Sequence, residues 1–324
     1  MPTQCEYNHR CCLQRAFFKG RGAAAWCIDP CERPHPMKIV TDSAADMPAA
    51  ELQALGVVEA PLFIQFREGE ISSAEISADD FYDRLRAMRP AVPTTAQPSS
   101  GVFAQLYQQV AASDRDILSV HISSGLSGTG LAAQLGASQV DPAARVTVWD
   151  TLTLSGGQRF QVMAAALAAR AGWSLPAIQQ RLAELREQTE VIYTLETLEY
   201  LARGGRIGRV QALAGAVLKI KPIIRVEHSD GKYSTVGKSR NISQALATIT
   251  EHLSGVYGNT GLWVTVLHGQ FAPQAEALAQ LLIGKLNVAK LETMRISPVL
   301  GVHTGPGIVG AAVAPMSLLE DLLA

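Results

Sequence analysis

The stretch SVHISSGLSGTGLAAQL, Ser119 to Leu135, changes character twice. Strand-type residues Ile117 to Ile122 lead in, small hydroxyl residues and glycines run from Ser123 to Gly130, and a helical pattern starts at about Leu131. A strand, a Ser/Gly loop and a helix N-terminus direct orphan backbone N–H groups and the positive end of a helix dipole at one point, which suits an anion. The same residues also make an ordinary capped turn. A phosphate-binding P-loop requires Gly-Lys-Ser/Thr, and no lysine is present. A nucleophile elbow requires Gly-x-Ser-x-Gly, whereas Gly125-Leu126-Ser127-Gly128-Thr129 ends in threonine. The loop therefore predicts an anion site without naming a nucleotide or a hydrolase.

Outward from this loop, strand and helix patterns alternate. Lys38 to Val40 reads as a strand, Ala45 to Leu55 as a helix, and Val57 to Phe66 as one or two strands. Ser77 is placed to cap a helix Ala78–Met88 with Asp80 at the capping-box position, and Ser99 or Ser100 to cap one running to Ala111. A strand Val146–Trp149 and helices at about 155–171 and 175–188 follow. From Val191 a second run holds a strand to Leu195, a helix near 197–203, a hairpin at Asp230-Gly231 and helices 241–253 and 273–286. Its remaining strands are expected at 262–267, 291–302 and 307–313. This alternation predicts an α/β fold of two domains, 37–190 and 191–324, with mainly parallel sheets. Ligands in such sheets sit at the C-terminal strand ends.

Composition narrows the function. The 324-residue chain is 48% hydrophobic, 18% charged and carries a net charge of -1, so it has material for a large core but no general basic face for nucleic acid. No apolar run reaches the roughly 20 residues of a membrane span. All five cysteines fall in the first 31 residues. That distribution argues against a disulfide framework, and the spacing of Cys27, Cys31 and His35 with Cys11 or Cys12 fits no strong zinc pattern. The character changes at Met37, which marks residues 1–36 as an extension outside the fold and Met37 as the expected natural start.

Several expected strand ends carry hydroxyls: Thr41-Asp42-Ser43, Ser123-Ser124 and Asp150-Thr151, with Thr94, Thr95 and Gln97 in PTTAQPSSG. GVHTGPG sets His303 among glycines, which permit close ligand approach. Each is separately a cap or turn; together they describe a crevice of hydroxyls and one imidazole. GGRIGR adds Arg206 and Arg209, either solvated charges or an anion- or partner-recognising pair.

KIVTDSAADMP, PTTAQPS, ISSGLSGT, DTLTLSGGQ, LEYLARGGRIG, KIKPII and HTGPG stand in an order that resembles the DegV family over about residues 38–314. The resemblance implies two α/β domains holding a long-chain fatty acid between them, with no cofactor and no catalysis by the chain itself. It further implies a cytoplasmic protein that presents the acid to a separate ATP-dependent fatty acid kinase for acyl phosphate formation. By the family pattern Thr95 and one of Ser123 and Ser124, preferably Ser124, hold the carboxylate, with His303 close by. The resemblance makes Arg206 a candidate docking residue for the kinase, with Lys219, Lys221 and Arg240 expected to add positive potential nearby. One departure is Ala96, where the family has a serine. The alternative is an acyl hydrolase or transferase using Ser124 or Ser127 with His303 and a carboxylate such as Asp42 or Asp150.

Overall fold

A computed structural model describes residues 37–211 and 220–323. The cysteine-bearing extension with its zinc and start-site readings, and Lys219, lie outside the described residues. The first region runs β1 (Lys38–Asp42), α1 (Ala49–Leu55), β2 (Val58–Ala60), β3 (Phe63–Phe66), β4 (Gly69–Ser72), α2 (Ala78–Ala87) and β5 (Thr94–Ala96). It continues through α3 (Ser100–Ala111), β6 (Asp116–His121), α4 (Thr129–Ala137), β7 (Arg145–Asp150), α5 (Ser155–Arg170) and α6 (Leu175–Gln188). The second region runs β8 (Glu190–Leu195), α7 (Glu199–Arg203), β9 (Lys221–Val226), β10 (Tyr233–Ser239), α8 (Ile242–Tyr257) and β11 (Leu262–His268). It ends with α9 (Ala272–Lys285), β12 (Val288–Arg295), α10 (Pro298–Thr304), β13 (Ile308–Pro315) and α11 (Glu320–Leu323).

The α/β reading holds, and the first sheet, ordered β2-β1-β6-β7, is parallel throughout. Its central strands are buried along their length, with Ile39, Val40, Ile117, Leu118 and Val120 all in the core, as expected where helices cover both faces. The expectation of mainly parallel sheets fails in the second sheet. Its order is β10-β9-β8-β13-β11-β12, and only β11 and β12 pair in parallel. The hairpin at Asp230-Gly231, the return of β13 between β8 and β11, and the pairing of β8 with β9 give the antiparallel pairs. A third sheet, β4-β3-β5, is also antiparallel and carries Thr95.

Two local readings are corrected. The expected strand 291–302 stops at Arg295, and Pro298 to Thr304 is helical. Pro298 sits in the first turn, where its fixed φ suits a helix; a short apolar run such as Pro298–Val302 does not by itself distinguish strand from helix. The expected helix Ala45–Leu55 is split. A 3-10 turn over Ser43–Ala45 ends at Asp46 in the left-handed region, and α1 starts after Pro48.

Helix α5 joins the two larger sheets. Nearly every side chain in SGGQRFQVMAAALAAR is buried, the pattern of a helix enclosed on all sides. A Cβ on Gly156 would press on Ala312 of β13 at 2.6 Å, and one on Gly157 would meet Val191 of β8 at 2.7 Å. On its other side Gln158 donates to Thr41 and Asp42 of β1, both at 3.2 Å. Arg159, with 7% of its side chain exposed, donates to Glu51 of α1 at 2.9 and 3.0 Å and pairs with Glu292 of β12. Glu292 also accepts from Trp263 Nε1 at 2.9 Å and Thr265 Oγ1 at 2.8 Å.

Removing one member of a buried ion cluster strands the others. Arg159→Ala should therefore lower unfolding free energy by about 3–5 kcal/mol. Urea denaturation should show this as a lower midpoint at an unchanged slope.

Candidate functional site

The anion loop is fastened before it can bind anything. Ser123, fully buried, donates through Oγ to the Gly231 carbonyl of the β9–β10 hairpin at 2.8 Å. The same oxygen accepts from Gly125 N at 3.0 Å. Ser124 is exposed, and its N–H donates to Asp150 Oδ1 at 3.2 Å. One turn later Ser127 faces inward, its hydroxyl 2.8 Å from that of Thr129. Gly128 lies so close to Gln97 that a Cβ there would stand 2.7 Å from the amide oxygen. Thus Ser123 makes a structural bond and Ser124 is exposed; of the three serines, Ser127 lines the chamber.

Thr95 and His303 do meet. Thr95 Oγ1 and His303 Nε2 are 2.8 Å apart, although 208 residues separate them. Strand pairing of Thr95 with Ile64 fixes the first partner; the last turn of α10 supplies the second. The glycines around His303 serve packing rather than ligand approach. A Cβ on Gly204 would overlap the His303 ring, one on Gly305 the Tyr200 ring, and one on Gly307 the Glu196 side chain. Gly305 also has φ +73°, accessible to few other residues.

Arg206 is at the same place. Its Nε donates to Leu126 O at 3.2 Å and its Nη1 to Gly204 O at 2.9 Å, so the guanidinium bridges the anion loop and the turn after α7. Burial, followed by the positive charge of Arg206, pushes the His303 imidazole down to about 4. His303 is therefore neutral at pH 7. With Nδ1 lacking a hydrogen-bond partner and turned against Gly204, Nε2 faces Thr95.

These side chains line a cavity of about 80 Å³ together with Gln97 and Tyr233. Tyr233 and Leu300 also line a second cavity of about 20 Å³, walled mainly by Leu154, Val191, Ile192, Leu267 and Ile308. The first cavity is mixed, with Leu62, Ile122, Leu126 and Val299 among its polar groups, and it adjoins an apolar one through shared residues. Of the residues expected from sequence, Thr95, His303 and Arg206 converge here, whereas Ser123 and Ser124 do not. Lys221 instead donates to the Glu196 carbonyl at 2.7 Å, Arg209 pairs with Asp230 at 2.5 Å, and Arg240 is exposed. Gln97, expected in the crevice, lines the chamber; Ser127 was expected only as an alternative nucleophile, and Tyr233 carried no signal in the sequence.

A serine–histidine–aspartate chain is present, but elsewhere. Tyr107 donates to Ser119 at 2.8 Å, Ser119 lies 2.7 Å from His121 Nε2, and His121 Nδ1 lies 2.8 Å from Asp42. All four are fully buried, so no substrate reaches this serine. Asp42 is thereby occupied, and Asp150 holds the backbone N–H groups of Ser124 and Leu152. Neither is paired with His303.

The geometry defines an α/β protein with a cavity of mixed lining beside an apolar one. Residues 36–316 match the profile of the DegV family, which is described as uncharacterised. The chain is 38% identical over 282 residues to a DegV domain-containing protein of Deinococcus radiodurans, covering 86% of this chain and 98% of that one. It is 33% identical over 279 residues to one of Streptomyces coelicolor, covering 85% and 97%. Among solved structures, a fatty-acid-binding DegV family protein of Thermus thermophilus superposes with a TM-score of 0.80 at 32% identity, covering 86% and 99%. The fatty-acid-binding DegV of Bacillus subtilis superposes with a TM-score of 0.77 at 27% identity, covering 87% and 99%. The chain belongs to the DegV family.

The neutral imidazole has a measurable signature. Between pH 6.5 and 4 the unfolded chain takes up a proton at His303 that the folded chain refuses, so this residue's contribution to stability falls as pH drops through that window. A His303→Gln variant should show a flatter decline between pH 7 and 4, the difference reaching at most about 3 kcal/mol. Thermal unfolding at a series of pH values checks it, and NMR of the ring should place its titration near 4.

Proposed function

We propose that this protein binds a long-chain fatty acid. The carboxylate sits in the chamber of Thr95, Ser127, His303 and Arg206, and the acyl chain passes Tyr233 and Leu300 into the apolar cavity. The supporting observation is the adjacency of those two chambers through shared side chains. Fatty acid binding by the Thermus and Bacillus relatives agrees with it.

The head-group chemistry follows from proton placement. A neutral His303 that donates from Nε2 to Thr95 Oγ1 leaves the threonine proton free for a carboxylate oxygen. The Ser127 hydroxyl and the Arg206 guanidinium supply further donors, the latter charged. Ser127 takes the position that the sequence reading assigned to Ser124. The apolar cavity is narrow, so a long acyl chain enters as its wall side chains move apart.

The bound acid is presented to a separate, cytoplasmic fatty acid kinase, which supplies ATP and the catalytic groups for acyl phosphate formation. Arg206, at the rim of the head-group chamber, then has two tasks: holding the carboxylate and meeting the partner. Residues 37–190 and 191–324 act as two domains around the ligand. No helix among the described residues is long and apolar enough to cross a membrane.

Delipidated protein should gain melting temperature with palmitate and not with acetate, because only the long acid fills the apolar cavity; equal shifts would overturn the reading. Thr95→Ala and Arg206→Ala should each remove a hydrogen bond to a charged acceptor, about 1.5–3 kcal/mol. Calorimetric affinity for palmitate should fall roughly tenfold or more. Arg206→Lys should recover binding poorly if the guanidinium fork is used. If kinase turnover falls further than the loss of binding explains, Arg206 also contacts the partner.

A further inference from the structure

Behind the apolar cavity lies a second hollow, an open surface groove of about 600 Å³. Ile296 lines both, Ser155 lines the cavity, and Asp46 and Ser297 line the groove. Ser155 Oγ donates to Asp46 Oδ2 at 2.5 Å, and Ser297 N donates to Asp46 Oδ1 at 2.9 Å. The partition between cavity and groove is therefore one layer of side chains.

That layer is pinned on each side. The Ile296 N–H donates to His268 O at 2.8 Å, and its carbonyl accepts from the buried Tyr82 hydroxyl at 3.2 Å. Among the described residues three non-glycine positions have positive φ: Asp46 (54°), Leu152 (50°) and Ser155 (54°). Two of the three are the hydrogen-bonded pair in this wall. A left-handed serine is held against its own preference, and such strain concentrates where a site requires it. Burial pushes the Asp46 carboxyl up to about 6, against the hydrogen bonds from Ser155 and Ser297 that lower it.

We propose that Ser155, Asp46 and Ile296 form the floor of the acyl cavity and set the longest chain it accepts, with the groove beyond as the outlet a longer chain would enter if the floor were removed. This inference rests on the fatty-acid reading of the site. It concerns the opposite end of the ligand from the head group. An acyl terminus that reaches the floor meets carbon atoms only, with the Ser155–Asp46 pair behind them already satisfied by internal bonds. Displacing either partner would strand a buried oxygen, which is costly.

Glycine substitution tests the floor, because both backbones are already in glycine's preferred region. Ser155→Gly and Asp46→Gly open the partition, whereas Asp46→Asn keeps its bulk. Affinities would be measured on delipidated protein for saturated acids from 14 to about 22 carbons. The parent should lose affinity beyond a limiting length. Both glycine variants should move that limit upward, gaining about fourfold per added methylene, the equivalent of about 0.8 kcal/mol each. Asp46→Asn should keep the parental limit. The glycine variants should also accept a fatty acid with a bulky aromatic group at its terminal carbon that the parent refuses. Unchanged length limits in both glycine variants, with binding of a 16-carbon acid intact, would overturn the floor. A shift in Asp46→Asn as large as in Asp46→Gly would overturn it as a steric floor. If the parent binds none of the acids, the reading of the site fails and the floor with it. Should a glycine variant fail to fold, the other one and the bulky-terminus acid still decide the question.

Discussion

The Arg159 ion cluster is the constraint on which the arrangement of the two larger sheets depends. A guanidinium that is almost wholly buried is tolerable only while both Glu51 and Glu292 face it. Glu51 belongs to α1 beside the first sheet and Glu292 to β12 of the second. The charge therefore has its partners only when α5 lies between the sheets in one rotation. The close approaches at Gly156 and Gly157 enforce the same rotation sterically. Hydrophobic burial supplies the driving force, being non-directional; the charged cluster and the glycines supply the register.

That register determines the ligand chamber, because the chamber has no element of its own. Its walls come from β5, the loop after β6, the turn after α7, the start of β10 and the end of α10. Ser123 bound to the Gly231 carbonyl ties the anion loop to the second sheet's hairpin, and Arg206 bound to the Leu126 carbonyl ties it to the turn. A site assembled in this way is preorganised by cross-sheet bonds. Those bonds also leave His303 desolvated and neutral, so that it orients the Thr95 hydroxyl rather than contributing charge. The positive charge of the site is Arg206.

Much of this was legible in the chain. The parallel sheet followed from alternating patterns, and the motif order pointed to Thr95 and His303; Arg206, expected as a docking residue for a kinase, instead lines the same cavity. What escaped the sequence was direction. Ser123, Ser124 and Ser127 are chemically alike, and only the fold shows that one is a structural donor, one faces solvent and one faces the chamber. The segment Pro298–Val302 was misread because a short apolar run is compatible with both periods. The sense of the second sheet's strands was misread because β13 inserts between β11 and β8, the latter more than a hundred residues away, a pairing that local patterns do not encode. The Tyr107–Ser119–His121–Asp42 chain was invisible for the same reason.

Burial separates the two histidines that matter and with them two classes of function. His121 has the serine and carboxylate of a hydrolytic relay, yet all its partners are sealed inside the first sheet, where the network satisfies buried polar atoms. His303 borders the chamber but has a threonine on one nitrogen and a glycine backbone against the other. A nucleophile-activating base needs a partner that stabilises the imidazolium formed when it takes a proton. The charge that acts on His303 is Arg206, which opposes that protonation. The same arrangement that makes His303 a poor base leaves the chamber with a positive charge, a hydroxyl beside the imidazole, and an apolar cavity that shares Tyr233 and Leu300 with it.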